Sequence, residues 1–148
     1  MITKRQCIKG SGMPNSENTY LAINEVLDVP EMDEEHNELF ERLENLKMHS
    51  FGSSEVLQQE ADALCNCLTR HFQTEQKLAD AAGIDFSEHA QLHEKMLGVV
   101  SMSLKQIYQG QGDVFALIKY IHVWFERHIQ ETDARFAARL HGSDALSN

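Results

Sequence analysis

The chain has 148 residues and a formal net charge of −10, a single domain's length with enough chain to bury a core. A chain this acidic has no basic stripe to meet phosphates and is repelled by anionic bilayers, which argues against nucleic-acid and membrane partners. Eight glycines and two prolines exclude collagen-like and loop-rich folds, and three cysteines without framework spacing fit a reducing cytoplasm.

Residues 1–20 carry Gly10, Ser11, Gly12, Pro14, Asn15, Ser16 and Asn18 and read as a flexible arm. Met1-Ile2-Thr3-Lys4-Arg5 is basic, but no apolar stretch follows it, so it does not read as a secretory leader. No segment approaches the ~20 apolar residues of a membrane span. A helical period begins at Asp33: Met32, His36, Leu39, Phe40, Leu43 and Leu46 recur at intervals of three and four, with Glu34, Glu35, Glu38, Glu41 and Glu44 between them. Ser53 or Ser54 is the candidate cap of a second helix, which carries Leu64, Leu68, His71, Phe72, Glu75 and Leu78 and stops at Gly83. Ser87 is the candidate cap of a third, with His89, His93, Met96, Val100 and Leu104. Asp113 caps a fourth, with Leu117, Ile118, Ile121, Trp124, Phe125, His128, Ile129, Phe136 and Leu140, ending at Gly142.

The spacing predicts helices near 33–49, 54–82, 87–109 and 113–141. Short connections between amphipathic helices make the expected fold all-α, an up-down-up-down four-helix bundle over residues 21–141. Residues 142–148 read as a frayed end or the start of a linker.

Each helix points an imidazole into its apolar stripe: His36 on the first, His71 with Glu75 on the second, His89 with His93 on the third and His128 on the fourth. Burying such groups unpaired costs ~1–3 kcal/mol each, and far more for a carboxylate. A metal removes that penalty. Residues i and i+4 lie about 40° apart on a helix, so His71/Glu75 and His89/His93 each present two donors to one site. Imidazole with carboxylate suits iron, zinc, copper or nickel, and disfavours magnesium or calcium. Five imidazoles are too many for one ion with an open position, and they fit two ions bridged by carboxylates. His49 and His141 sit near helix ends, His122 lies on a helix edge, and Cys65-Asn66-Cys67 reads as two small packed residues rather than a zinc half-site.

These residues resemble the hemerythrin-like domains, specifically the bacterial hemerythrins. The resemblance is carried by Met32-Asp33-Glu34-Glu35-His36-Asn37-Glu38-Leu39-Phe40, His71-Phe72-Gln73-Thr74-Glu75, His89-Ala90-Gln91-Leu92-His93 and Trp124-Phe125-Glu126-Arg127-His128-Ile129-Gln130-Glu131-Thr132-Asp133. It spans roughly residues 20 to 140, nearly the whole chain, and implies a four-helix bundle. The chain departs from many bacterial members in lacking a tryptophan in Thr19–Glu25 and in having Ile84-Asp85-Phe86-Ser87 where an aromatic-proline step is common.

The resemblance implies a non-haem centre of two iron ions, cycling between Fe2+ and Fe3+, with an oxo or hydroxo bridge and O2 as ligand. It implies His89, His93 and His128 on one iron, His36 and His71 on the other, which keeps an open position, and Glu75 and Asp133 bridging the two. Asp133 rests on the resemblance alone. It follows His128 by five residues, about 140° round an ideal helix, where Glu131 is the better fit, so it needs a local helix distortion or a reaching carboxylate. Leu39, Phe40, Trp124 and Phe125 lie beside these positions and are expected to form a dry wall around the oxygen pocket.

The implied function is reversible oxygen binding, as a carrier or as the oxygen- or redox-sensing domain of a larger signalling protein with a fused or partner output domain. Enzymatic turnover is not implied by these residues and would belong to such a fused domain. The alternative is a ferritin-like di-iron oxidase or iron-storage protein. That type needs Glu-x-x-His on two helices, and the pairs here are His-x-x-x-Glu and His-x-x-x-His.

Overall fold

In a computed structural model of the chain, residues 20–147 are described, and the arm expected over residues 1–19 lies outside them. A single 3-10 turn, Ile23–Glu25, leads to helix α1, Pro30–Met48. Helices α2 (Ser54–Ala82), α3 (Ser87–Tyr108) and α4 (Val114–Arg127) follow. A π-helical segment, His128–Asp133, then joins α4 to α5, Ala134–Ser147, so that these three pieces make one long fourth helix. There is no strand among the described residues. Consecutive helices pack on one another, α4 closes the ring against α1, and α5 continues against α2. With tight turns between them, this is the expected up-down-up-down bundle. No helix among the described residues is long and apolar enough to cross a membrane.

The helix ends follow local chemistry. Pro30 occupies the first turn of α1, where its missing N–H costs nothing. Asp33 accepts bonds from the N–H groups of Leu27 and Asp28, at 2.9 and 3.1 Å, and so fixes the bend that enters α1. Helix α1 therefore starts three residues before the predicted Asp33. Ser53 caps α2 through a bond from the Val56 N–H, and Asp113 caps α4 through bonds from Phe115 and Ala116. Gly83 closes α2 at φ 69°, a conformation that suits glycine.

Two expectations at helix ends need correction. Ser87 is the first residue of α3 rather than its cap, and its N–H and hydroxyl both donate to Asp85. Gly142 does not end the fourth helix. No neighbouring atom lies within 4 Å of where its Cβ would be, and the helix runs through it to Ser147. Residues 142–147 are thus helical, and His141 is not at a helix end: its Nε2 lies 3.1 Å from the Leu27 carbonyl.

The apolar core is split along the bundle. One cluster gathers Leu39, Leu43, Leu46, Leu64, Leu68, Phe72, Met96, Val100, Ile121 and Phe125. The other gathers Val29, Met32, Ala79, Phe86, Phe136, Ala137 and Leu140. Between them, in sequence on every helix, come the buried polar residues: His36 on α1, His71 and Glu75 on α2, His89 and His93 on α3, His128 and Asp133 on the π segment. A polar layer is thus sealed on both sides by hydrocarbon.

Candidate metal centre

All seven residues of that layer converge. They form two overlapping groups whose donor atoms lie within 4.8 Å of one another: Glu75, His89, His93, His128 and Asp133, and His36, His71, Glu75 and Asp133. The two groups share Glu75 and Asp133, and these divide their oxygens. On the three-histidine side, Asp133 Oδ1 lies 2.9 Å from His89 Nε2 and 3.1 Å from His128 Nε2, and Glu75 Oε1 lies 3.3 Å from the Nε2 atoms of both His89 and His93. On the two-histidine side, Asp133 Oδ2 lies 3.1 Å from His36 Nε2, and Glu75 Oε2 lies 3.0 Å from His71 Nε2 and 3.5 Å from His36 Nε2.

The π segment explains Asp133. In a π-helix the backbone bond spans five residues rather than four, so a side chain five positions on returns to the same face. Across His128–Asp133 this brings the aspartate back over His128, while Glu131, favoured by an ideal helical wheel, is exposed. The segment is anchored from outside as well: Glu25 is buried, accepts the Ala22 N–H at 2.9 Å and accepts Gln130 Nε2 at 3.1 Å.

Both oxygens of Glu75 and of Asp133, together with Nε2 of His36 and His71, are buried with no hydrogen-bond partner. The Nε2 atoms of His89 and His93 each lie 3.2 Å from His128 Nε2, so three ring nitrogens crowd together, where at most some can be paired by protons. Leaving such groups unsatisfied is costly, and a cation in each group satisfies them all. The residues therefore fit a pair of metal ions.

Without a cation, protons take the same role. Burial opposes charge on His71, but the nearby Glu75 carboxylate and the bond to Glu35 outweigh it and raise its pKa to about 10. Burial likewise opposes charge on His89, and Asp133 and Glu75 raise it to about 9. Burial prevails at His93, which falls to about 4. Burial also disfavours the charged carboxylates, yet the surrounding imidazoles hold Glu75 and Asp133 well below the usual carboxylate range. Two buried anions are thus fixed in the centre and demand positive charge.

The surround is aromatic. Phe72 stacks on His93 with ring centres 3.8 Å apart, Phe86 stacks on His89 at 4.3 Å, and Trp124 stacks on His128 at 4.3 Å. Phe125 is fully buried and lies 6.4 Å from His71 and 6.3 Å from His128, and Phe136 meets His89 at 5.5 Å. Leu39 belongs to the apolar cluster above the site, and the Phe40 ring faces His122 at 5.3 Å.

In sequence, Phe72 and Phe136 read as core positions with no link to the histidines, and Phe86 stands out only as part of Ile84-Asp85-Phe86-Ser87, three residues before His89. Glu35, one of the acidic residues between the apolar positions of α1, brings its carboxylate to 2.9 Å from His71 Nδ1. His122 pairs with Glu126 at the helix edge, and His49 meets the Asn45 carbonyl at the end of α1. Cys67 is buried, which pushes its thiol up to about 12, and Cys65 is half-buried.

A four-helix bundle with a buried layer of five histidines and two shared carboxylates defines a candidate two-metal helical protein. The family model for the Hemerythrin HHE cation binding domain matches residues 27–140, and the chain belongs to that family. A Bacteriohemerythrin of Methylococcus capsulatus is 25% identical to it over 113 residues, covering 73% of this chain and 85% of that protein. No solved structure matches the chain significantly.

Proposed function

We propose that the chain binds dioxygen reversibly at a non-haem di-iron centre. His89, His93 and His128 would hold one iron and His36 and His71 the other, with Glu75 and Asp133 shared between the two. The observation that carries this reading is the division of the two carboxylates, each with one oxygen toward the three-histidine group and one toward the two-histidine group. The two groups are also unequal, with five donor residues against four. The smaller set, His36, His71, Glu75 and Asp133, retains room for a ligand from outside the chain.

A bound ferrous pair supplies two electrons to dioxygen and takes them back on release. The protein's part is to hold, orient and keep dry. The two apolar clusters seal the polar layer along the bundle axis, and Phe125 covers the side of His71 and His128. Excluding water there disfavours charge separation and loss of the oxygen in reduced form. Glu75 and Asp133 stay anionic through the proximity of the imidazoles, which suits them to balance cation charge.

The test is anaerobic reconstitution with ferrous iron, followed by cycles of oxygen and argon under visible spectroscopy. The wild-type chain is expected to develop an oxygen-dependent absorption that disappears on deoxygenation. His36→Ala and His71→Ala should abolish that signal while keeping wild-type helix content by circular dichroism. A wild-type spectrum that does not reverse, or either variant giving the full signal, contradicts the proposal.

A further inference from the structure

Glu35 lies outside the seven converging residues but is joined to them at one atom. Its Oε1 lies 2.9 Å from Nδ1 of His71, and its Oε2 accepts the Thr74 hydroxyl at 2.8 Å. The same Oε2 faces the Arg70 guanidinium at 4.0 Å, and Arg70 in turn holds Glu38 at 2.6 Å. Both oxygens of Glu35 are therefore committed, and the carboxylate is fixed by groups on α2 before any ion is considered. Only 17% of its side chain is exposed. On the far side of the ring, His71 directs Nε2 at Glu75 Oε2.

The other imidazole on this side differs. His36 Nδ1 is buried with no hydrogen-bond partner among the described residues. The two rings meet edge to face, with centres 4.5 Å apart. Among the described residues, His71 is also the one imidazole of the five whose Nδ1 is backed by a carboxylate.

We propose that Glu35 is a positioning residue for the cation held by His36, His71, Glu75 and Asp133. By accepting from Nδ1–H it fixes the tautomer of His71 and leaves the Nε2 lone pair aimed into the site. Its negative charge behind the ring makes that nitrogen a stronger donor. A carboxylate placed so behind a ligating imidazole is worth about 10–100-fold in metal affinity. The two cation positions are thereby made unequal by a residue that touches neither. The inference rests on the two-ion reading above.

The experiment titrates the metal-free full chain with Co2+, read by visible d–d absorption against a competing chelator, and records thermal unfolding of each metal-free protein. Wild type is expected to take up two ions. Glu35→Ala should bind one of them as wild type does and the other about 10–100-fold more weakly, with the d–d band of the weakened ion altered. Glu35→Gln keeps an acceptor for Nδ1–H without the charge, and should fall between the two. If the alanine variant does not fold, the glutamine variant alone carries the comparison. Wild-type affinity for both ions in either folded variant overturns the role of Glu35, as does equal weakening of both ions together with a lower unfolding temperature. Fewer than two ions on wild type overturns the two-ion reading, and this proposal with it, before any variant is compared.

Discussion

Asp133 follows His128 by five residues, yet its Oδ1 sits 3.1 Å from His128 Nε2. The π segment makes that possible, because in an unbroken α-helix the residue returning over His128 would be Thr132, four positions on. Exchanging the two, Thr132→Asp with Asp133→Thr, is therefore expected to remove the shared carboxylate rather than move it harmlessly. Iron per chain should fall from two to one or fewer, with helix content unchanged. Full loading of the exchanged protein would show that the π turn does not place the aspartate.

Phe125 is fully buried against His71 and His128. Phe125→Ala is expected to cost about 3–5 kcal/mol in denaturant unfolding and to leave a cavity beside polar ligands, where water can settle. The oxygen-loaded protein should then lose its absorption faster than wild type, with Phe125→Leu between them because it keeps most of the apolar volume. The comparison is made at equal iron loading. An unchanged decay rate in Phe125→Ala would reduce the ring to core packing.

Proton release is fixed by the electrostatics of the centre. His71 at about 10 and His89 at about 9 carry protons at pH 7.5 in the metal-free protein, whereas His93 at about 4 does not. Against its burial, Asp133 and Glu75 raise His36 as well. A metal takes the ring nitrogen only as the proton leaves, so uptake should expel protons at that pH, those of His71 and His89 among them. The direction follows: a raised imidazole pKa means protons compete strongly at low pH, and metal affinity should climb as pH rises from about 6 to 9. Titration calorimetry in two buffers of different ionisation enthalpy measures the protons directly. Equal heats in both buffers would contradict the charge state described here.

Much of this was legible because helices repeat. The four apolar stripes and the pairs His71/Glu75 and His89/His93 follow from a period of 3.6 residues, and His36 and His128 stand out as polar residues within those stripes. What was not legible falls where that period fails or where neighbours on other helices decide. Asp133 could not be found by a helical wheel, since His128–Asp133 is π-helical. Glu35 falls among the acidic residues between the apolar positions of α1, and only the packing of α2 against α1 turns it toward His71. Gly142 reads as a stop, yet a glycine inside a helix costs only about 1 kcal/mol, and the helix passes through it. Ser87 reads as a cap, but Asp85 takes its N–H first.

If Glu75 and Asp133 are shared by two iron ions within the polar layer, X-ray absorption fine structure of the iron-loaded protein should show a metal–metal scattering shell at roughly 3.5 Å beside an imidazole-rich first shell. An iron environment with no metal–metal shell would rule out a shared pair.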